Sequence, residues 1–410
     1  MVDYLKLLLA LGWRNLWRNR RRTFVILFAI ALGVWSMVTM AAFMRGIIHQ
    51  VVNDAINNLT GHIQIHAPQY RDDPVIEHSM TLPSAALQEL LQKNEKIIAW
   101  SARVRVPAVI ASERESSGVT LVGIDPSREK TLSFLFEATK KGRYLKDVED
   151  KGVIIGRKLA ERLQTGVGKR IVLMSQDRNN EIADRGFRIV GIFDATLEST
   201  ELAYVFVGRS VVQKMLGMGQ DISEIGIKTR DREVVDAVTA KLRQAAPRLD
   251  IQPWNVLQPL LQARVTINNG FTIIWFVVVF VAMGFGLVNT LLMAVFERTR
   301  EFGLFQALGM RPRFILGQVM CEAFFLLLIG LAIGNLLSLL TLQIYSDGID
   351  VSGLAKGAQL IGLSNVIPLD SQFDDVVVAN ALVIGLGLLA SFYPAWRAAR
   401  YVPVEAITRT

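Results

Sequence analysis

Four stretches of this chain, 23–44, 270–296, 314–345 and 376–396, are nearly free of charge. Each exceeds the roughly 18 apolar residues at which a membrane-spanning helix becomes the default fold. Inside a bilayer every backbone N–H and C=O needs a protein partner, and an isolated segment meets that demand only as a helix. Glu297 closes the second run, Glu322 is the single charge in the third, and Arg397 ends the fourth. The first run also outlasts the roughly 7–15-residue apolar stretch of a cleaved signal peptide, so a span is the reading adopted.

Basic residues decide the orientation. They concentrate in 6–22, 298–313 and 397–409, each beside an apolar run, as the positive-inside rule requires of cytoplasmic flanks. Segment 1–22 then reads as a cytoplasmic interfacial helix, with Leu5, Leu8, Leu9, Trp13, Leu16 and Trp17 at headgroup level. Segments 297–313 and 397–410 are likewise cytoplasmic. Segments 45–269 and 346–375 face outward, the latter carrying Asp347, Asp350, Asp370, Asp374 and Asp375 against Lys356. The formal charge of +8 is thus accounted for by membrane topology, and nucleic-acid binding is excluded by its distribution. The expected fold class is membrane α-helical, with four transmembrane helices, cytoplasmic N and C termini, and a large inserted α+β extracytoplasmic domain.

That domain alternates strand and helix signals. Residues 62–66, 119–123, 152–156, 170–174, 187–193, 202–207 and 224–228 read as strands, and 62–66 alternates as a half-exposed strand should. Residues 83–93, 156–164, 209–216 and 232–246 read as helices. Helical spacing also continues beyond the first span to Leu59, and before the second span from Leu257, which predicts two helical stalks. The alternative for each is a solvated helix end packed on the domain.

The search for chemistry finds little. No G-x-S-x-G, H-E-x-x-H or G-x-x-x-x-G-K-[ST] pattern is present, so this segment has no phosphate loop for ATP. His62 and His66 would share a strand face, without the further ligands a metal needs; surface histidines are the expectation. Cys321, the single cysteine, reads as a small apolar filler. Glu322 is expected to pair with an arginine, and Asn289 and Asn335 to hydrogen-bond between helices. Gly284 and Gly286 are candidate helix-interface residues, because glycine lets a second backbone approach.

Two longer motifs remain. Glu297, Arg298, Thr299, Arg300, Glu301, Phe302 and Gly303, followed by Ala307, Leu308, Gly309, Met310, Arg311 and Pro312, join the second and third spans. Tyr393, Pro394, Ala395, Trp396, Arg397, Ala398, Ala399 and Arg400, then Pro403, Val404, Glu405 and Ala406, close the sequence. Both resemble the signatures of FtsX/MacB/Lol-type ABC transporter permeases, and in layout the chain is similar to the lipoprotein-releasing group.

The resemblance implies that 297–313 holds a coupling helix, with Glu297, Arg298, Arg300, Glu301, Phe302, Gly303, Leu308, Gly309 and Arg311 seating a cytoplasmic ABC ATPase dimer. ATP and magnesium would be bound by that partner, with no cofactor in this chain. A second permease chain, the same or related, would complete the membrane unit, and a periplasmic partner is a further implied option. Pro394, Arg397, Arg400, Pro403 and Glu405 would form the C-terminal signature. Such permeases act as mechanotransmitters in the inner membrane, on lipoproteins or another lipophilic substrate. Efflux of drugs or peptides, and regulation of a cell-wall hydrolase, are the alternatives within the superfamily. The hairpin that recruits a chaperone in one lipoprotein-releasing permease corresponds to 175–186; here it is short, charged and proline-free, against such docking.

Overall fold

The computed structural model describes residues 2–82, 85–195, 197–350 and 366–400. Pro403 and Glu405 lie outside them. The chain divides into two units, one formed around residues 1–50, 264–353 and 365–410, the other around 51–263.

Among the described residues four helices are long and apolar enough to cross a membrane. They span Arg20–Ala55, Pro259–Glu297, Pro312–Ile344 and Phe373–Ala399, and are called here the first to fourth long helices. At 1.5 Å per residue the first two measure about 54 and 58 Å, well beyond a hydrocarbon core of about 30 Å. Both therefore continue as helix past bilayer length, as their spacing predicts. The second begins at Pro259 rather than Leu257, because the chain turns at Gln258 after a one-turn helix, Trp254–Leu257.

Packing of this bundle rests on glycines other than those expected. A Cβ on Gly330 would lie 2.5 Å from Ile30, and one on Gly334 2.6 Å from Val34. These two form a G-x-x-x-G face on the third long helix, against which the first packs. Gly286, by contrast, is exposed with nothing within 4 Å, and the nearest neighbour of Gly284 is Phe280 of its own helix. Asn335 does bond across helices, donating to Asn380 Oδ1 at 2.9 Å, whereas Asn289 is exposed. The expectation of an interface at Gly284, Gly286 and Asn289 is thus not met within this chain.

The N-terminal helix Val2–Leu16 packs on the third long helix, with Leu8 over Gly317 and Gly12 over Cys321. Leu8 and Leu16 are buried, so only Leu9, Trp13 and Trp17 of the expected headgroup-level residues with described side chains are exposed. At its other end the first long helix is tied to the fourth, through a two-pronged bond of Arg45 to Asp375 at 2.6 and 2.7 Å. Gly46 is required there, since any Cβ would strike the Pro368 carbonyl oxygen at 1.7 Å.

Among the described residues the second unit carries ten strands in one hydrogen-bonded network. They are β1 Ile63–His66, β2 Ile97–Ala111, β3 Ser116–Ile124, β4 Thr139–Gly142, β5 Gly152–Gly156, β6 Arg170–Gln176, β7 Ile182–Phe193, β8 Tyr204–Gly208, β9 Glu224–Thr229 and β10 Asp250–Pro253. The order β10-β1-β9-β2, all antiparallel, has helices Ala85–Lys93 and Val235–Ala245 packed on its apolar face. That is a split β-α-β layout, with the other six strands inserted between β2 and β9. Five of those strands join β2 in a closed ring of pairings, β2-β3-β8-β5-β7-β6, around a second apolar core, and β4 pairs with β7 outside the ring.

Strand β2 was invisible to pattern reading because Pro107 interrupts it. The proline is tolerated where β2 changes partner, from β9 at 97–103 to β6 at 109–111. Side chains close the gap: Ser223 Oγ accepts from Arg105 N, Tyr70 Oη donates to Arg105 O, and Ser175 Oγ donates to Pro107 O. The strand expected at 202–207 instead starts at Tyr204, after helix Glu198–Ala203.

Candidate functional site

The charged segment between the second and third long helices folds as a short helix, Thr299–Ala307, ending at Gly309 with φ 89°. Its two sides differ. On one side Arg298 and Phe302 are buried, and Arg298 donates from Nη1 to Glu322 and from Nε to Glu301, both at 3.1 Å. Arg22 bonds Glu297 at 2.8 Å and approaches Glu322 at 4.0 Å, and Arg18 bonds Glu301 at 2.6 Å. The expected Glu322–arginine pair is therefore formed, within a frame of three arginines and three glutamates. Partial burial alone would raise the Glu301 carboxyl; hydrogen bonds from Arg298 and Arg18 outweigh it and hold the group below its ordinary value.

The opposite side is open. Leu304 and Leu308 are 53% and 74% exposed, and Gly309, Met310 and Arg311 continue the exposed stretch; Arg300 is exposed as well. Glu297, Arg298, Glu301 and Phe302 thus hold the segment in place, while Leu308, Gly309 and Arg311 form its accessible tip. Gly303 is buried with Phe302. Of the C-terminal signature, Pro394 is buried inside the fourth long helix. Arg397 lies over Phe296 at 5.1 Å and Arg400 over Trp396 at 4.1 Å. Gln306 donates to the Ala399 carbonyl at 3.4 Å, so the two motifs meet in space.

A second charged constellation, missed by sequence reasoning, lies in the other unit where the first stalk ends. After Ala55 the helix loosens into a π turn, Ile56–Thr60, in which Asn58 and Leu59 leave helical geometry. Leu59 takes φ 76°, a left-handed conformation costly for a residue with a branched apolar side chain. It is held there because its side chain is buried and its carbonyl accepts from Arg103 Nη1. Arg103 is fully buried and also bonds Glu129, at 2.6 and 3.2 Å, and Glu224, at 3.0 Å.

Register explains the constellation. Arg103 and Glu224 are direct cross-strand partners on β2 and β9, and Glu129 comes from helix Pro126–Leu132, capped by Asp125. Burial would raise the Glu224 carboxyl, but His66, Arg105 and Arg103 reverse the effect and hold it far below the usual range. Thr60 accepts from Gln258 Nε2 at 2.6 Å, so the ends of the two stalks are bonded to each other.

These contacts overturn the half-exposed reading of 62–66. Strand β1 is buried along its whole length, because the face bearing His62, Gln64 and His66 is covered by this turn and its ion network. Nor are the histidines at the surface. His62 Nδ1 accepts from Thr229 N at 3.1 Å, which leaves the ring neutral, and burial with the nearby Lys228 lowers its pKa to about 4. His66 stacks on Tyr70 and lies 3.8 Å from Glu224. The available signal was the alternation Ala102, Arg103, Val104, Arg105, Val106, which places both arginines on one strand face.

Comparison with known proteins fits this architecture. Residues 23–245 match the family of MacB-like periplasmic core domains, and residues 273–403 match the FtsX-like permease C-terminal family. The chain belongs to the MacB/FtsX-type ABC transporter permeases. This permease is a multi-pass inner-membrane protein with its large domain in the periplasm. It is similar to the lipoprotein-releasing system transmembrane protein LolC of Xylella fastidiosa, 24% identical over 97% of this chain and 98% of that one. It is also similar to LolE of Haemophilus influenzae, 23% identical over 97% and 98%. The pyoverdine export ATP-binding/permease protein PvdT of Pseudomonas syringae pv. tomato is 27% identical, over 97% of this chain and 58% of that protein. Among solved structures, the periplasmic region of MacB from Actinobacillus actinomycetemcomitans aligns at 16% identity and TM-score 0.36, covering 52% of this chain and 98% of that one.

Proposed function

We propose that this permease couples ATP hydrolysis by a separate cytoplasmic ABC ATPase dimer to movement of its periplasmic domain. The movement releases lipoproteins or another lipophilic substrate from the inner membrane. ATP and magnesium belong to the ATPase, and a second permease chain completes the membrane unit.

The observation that carries this reading is the two-sided segment at 297–313. An exposed apolar tip, Leu304 and Leu308, stands on a base pinned by ion pairs. Such a tip suits insertion into a groove of another protein. A pinned base would pass that partner's motion to the first and second long helices, both of which extend beyond bilayer length. Both basic flanks, 6–22 and 298–313, support a cytoplasmic location. An ATPase is expected to co-purify with the permease in mild detergent, and Leu308→Asp to abolish the association. A variant that retains both association and substrate release would sink the docking role.

Export of a secreted small molecule is a second reading, favoured by the 27% identity to a pyoverdine exporter. Depletion separates the two. Lipoproteins retained in the inner membrane support release, and a lost secreted product supports export.

A further inference from the structure

A polar cavity of about 720 Å³ opens at the stalk ends, entirely within the periplasmic unit. Thr60 and Gln258, the residues that bond the two stalks, both line it. Its walls carry two arginines, Arg71 and Arg105, against one carboxylate, Glu224. Arg105 donates one side-chain bond among the described residues, from Nη2 to Tyr204 Oη at 3.1 Å. Its ion pair with Glu224 is 3.6 Å long, beyond hydrogen-bond reach, and its guanidinium carbon lies 5.5 Å from the centre of the Tyr204 ring. Arg71 is likewise 3.6 Å from Asp250, which leaves its fork unmet. His66 Nδ1 is buried without a hydrogen-bond partner. The carboxylate that lines the cavity, Glu224, already accepts from Arg103 at 3.0 Å.

Two guanidiniums with donors to spare on one cavity favour an anion with several acceptor oxygens, and the guanidinium fork matches phosphate in geometry. The volume lies in the range that holds a small organic ligand, so a substituted phosphate fits. We propose that this cavity binds a phosphate group, on a lipid headgroup or a small soluble ester, through Arg105 and Arg71. An occupant there touches both stalk ends, so its binding and stalk position are linked.

The test uses the full-length permease in detergent, titrated calorimetrically with inorganic phosphate, glycerol 3-phosphate, short-chain phosphatidylglycerol and short-chain diacylglycerol. Saturable binding of at least one phosphate-bearing probe is expected. Arg105→Gln should weaken it about tenfold or more, the effect of losing a charge-assisted hydrogen bond, and Arg71→Gln should weaken it less. Binding of the soluble phosphates supports a soluble ligand, and binding of phosphatidylglycerol alone supports a headgroup. Diacylglycerol bound as tightly as phosphatidylglycerol, no saturable binding of any probe, or wild-type affinity in Arg71→Gln overturns the proposal. The Arg71 variant stands alone if Arg105→Gln fails to fold, because Arg71 is at the cavity rim and partly exposed.

Discussion

Arg103 and Arg298 are both buried arginines that hold a turn next to a long helix, yet their surroundings differ. Arg103 is fully enclosed, with two buried carboxylates and a strained backbone carbonyl as its partners. Arg298 has one buried partner, Glu322, and one half-exposed, Glu301, while Arg22 stands ready 4.0 Å from Glu322. In the first, Arg105 also stands 3.6 Å from Glu224, but Glu129 has no second cation among the described residues. The second has a spare. A stalk end fixed by the first should move only with its domain, whereas a segment held by the second can exchange partners under load. That suits the proposed roles, an output that must not slip and an input that must respond.

The largest effect should come from Arg103→Met. It strands Glu129 in a dry site and leaves the Leu59 carbonyl with only the 3.5 Å bond from Gln64, for a loss of about 3–5 kcal/mol in unfolding free energy. Chemical denaturation of the purified permease measures it, and a loss below about 1 kcal/mol would refute the claim that the network is irreplaceable. Arg298→Gln should cost less, about 1–3 kcal/mol, because Arg22 can compensate Glu322. Adding Arg22→Gln should then cost more than it does alone, and simple additivity in that double-mutant cycle would contradict the idea of a spare cation.

Smaller still is the exposed pair. Arg18→Glu should change stability by less than about 1 kcal/mol but impair ATPase coupling, with Glu301→Arg restoring it. No recovery in the swapped pair would show that Arg18 acts elsewhere.

The smallest effect concerns pH and only the periplasmic side. His62 is buried neutral, with its pKa lowered to about 4. Between the ordinary value near 6.5 and about 4 the unfolded chain takes up a proton that the folded one refuses, so stability falls as pH drops through that window. His62→Gln should flatten this part of the melting-temperature profile. An unchanged slope would place the acid sensitivity in other groups.

Much of the fold was readable from residue order. The four apolar runs gave the long helices, and continued helical spacing gave the stalks. The glutamates and arginines of 297–313 were found as a motif, but their division into a pinned base and an exposed tip was not, because Arg18 and Arg22 come from a segment some 280 residues away. Within this chain the first long helix does not pack on the candidate interface at Gly284 and Gly286, for a related reason. Glycine marks where a neighbour could approach, and only packing shows that the first long helix chose Gly330 and Gly334.

The sequence by itself determined the membrane class, because hydrocarbon forces backbone hydrogen bonds to close locally and apolar length reports that directly. It also determined the family, through two local motifs. Tertiary structure alone decided which charges are buried together. Arg103, Glu129 and Glu224 meet through strand register and a helix inserted between strands, and Leu59 is held left-handed by that meeting. Strand period two places His62, Gln64 and His66 on one face, but not what covers it. The charges buried over it come from residues 103, 129 and 224, and no local pattern encodes their meeting.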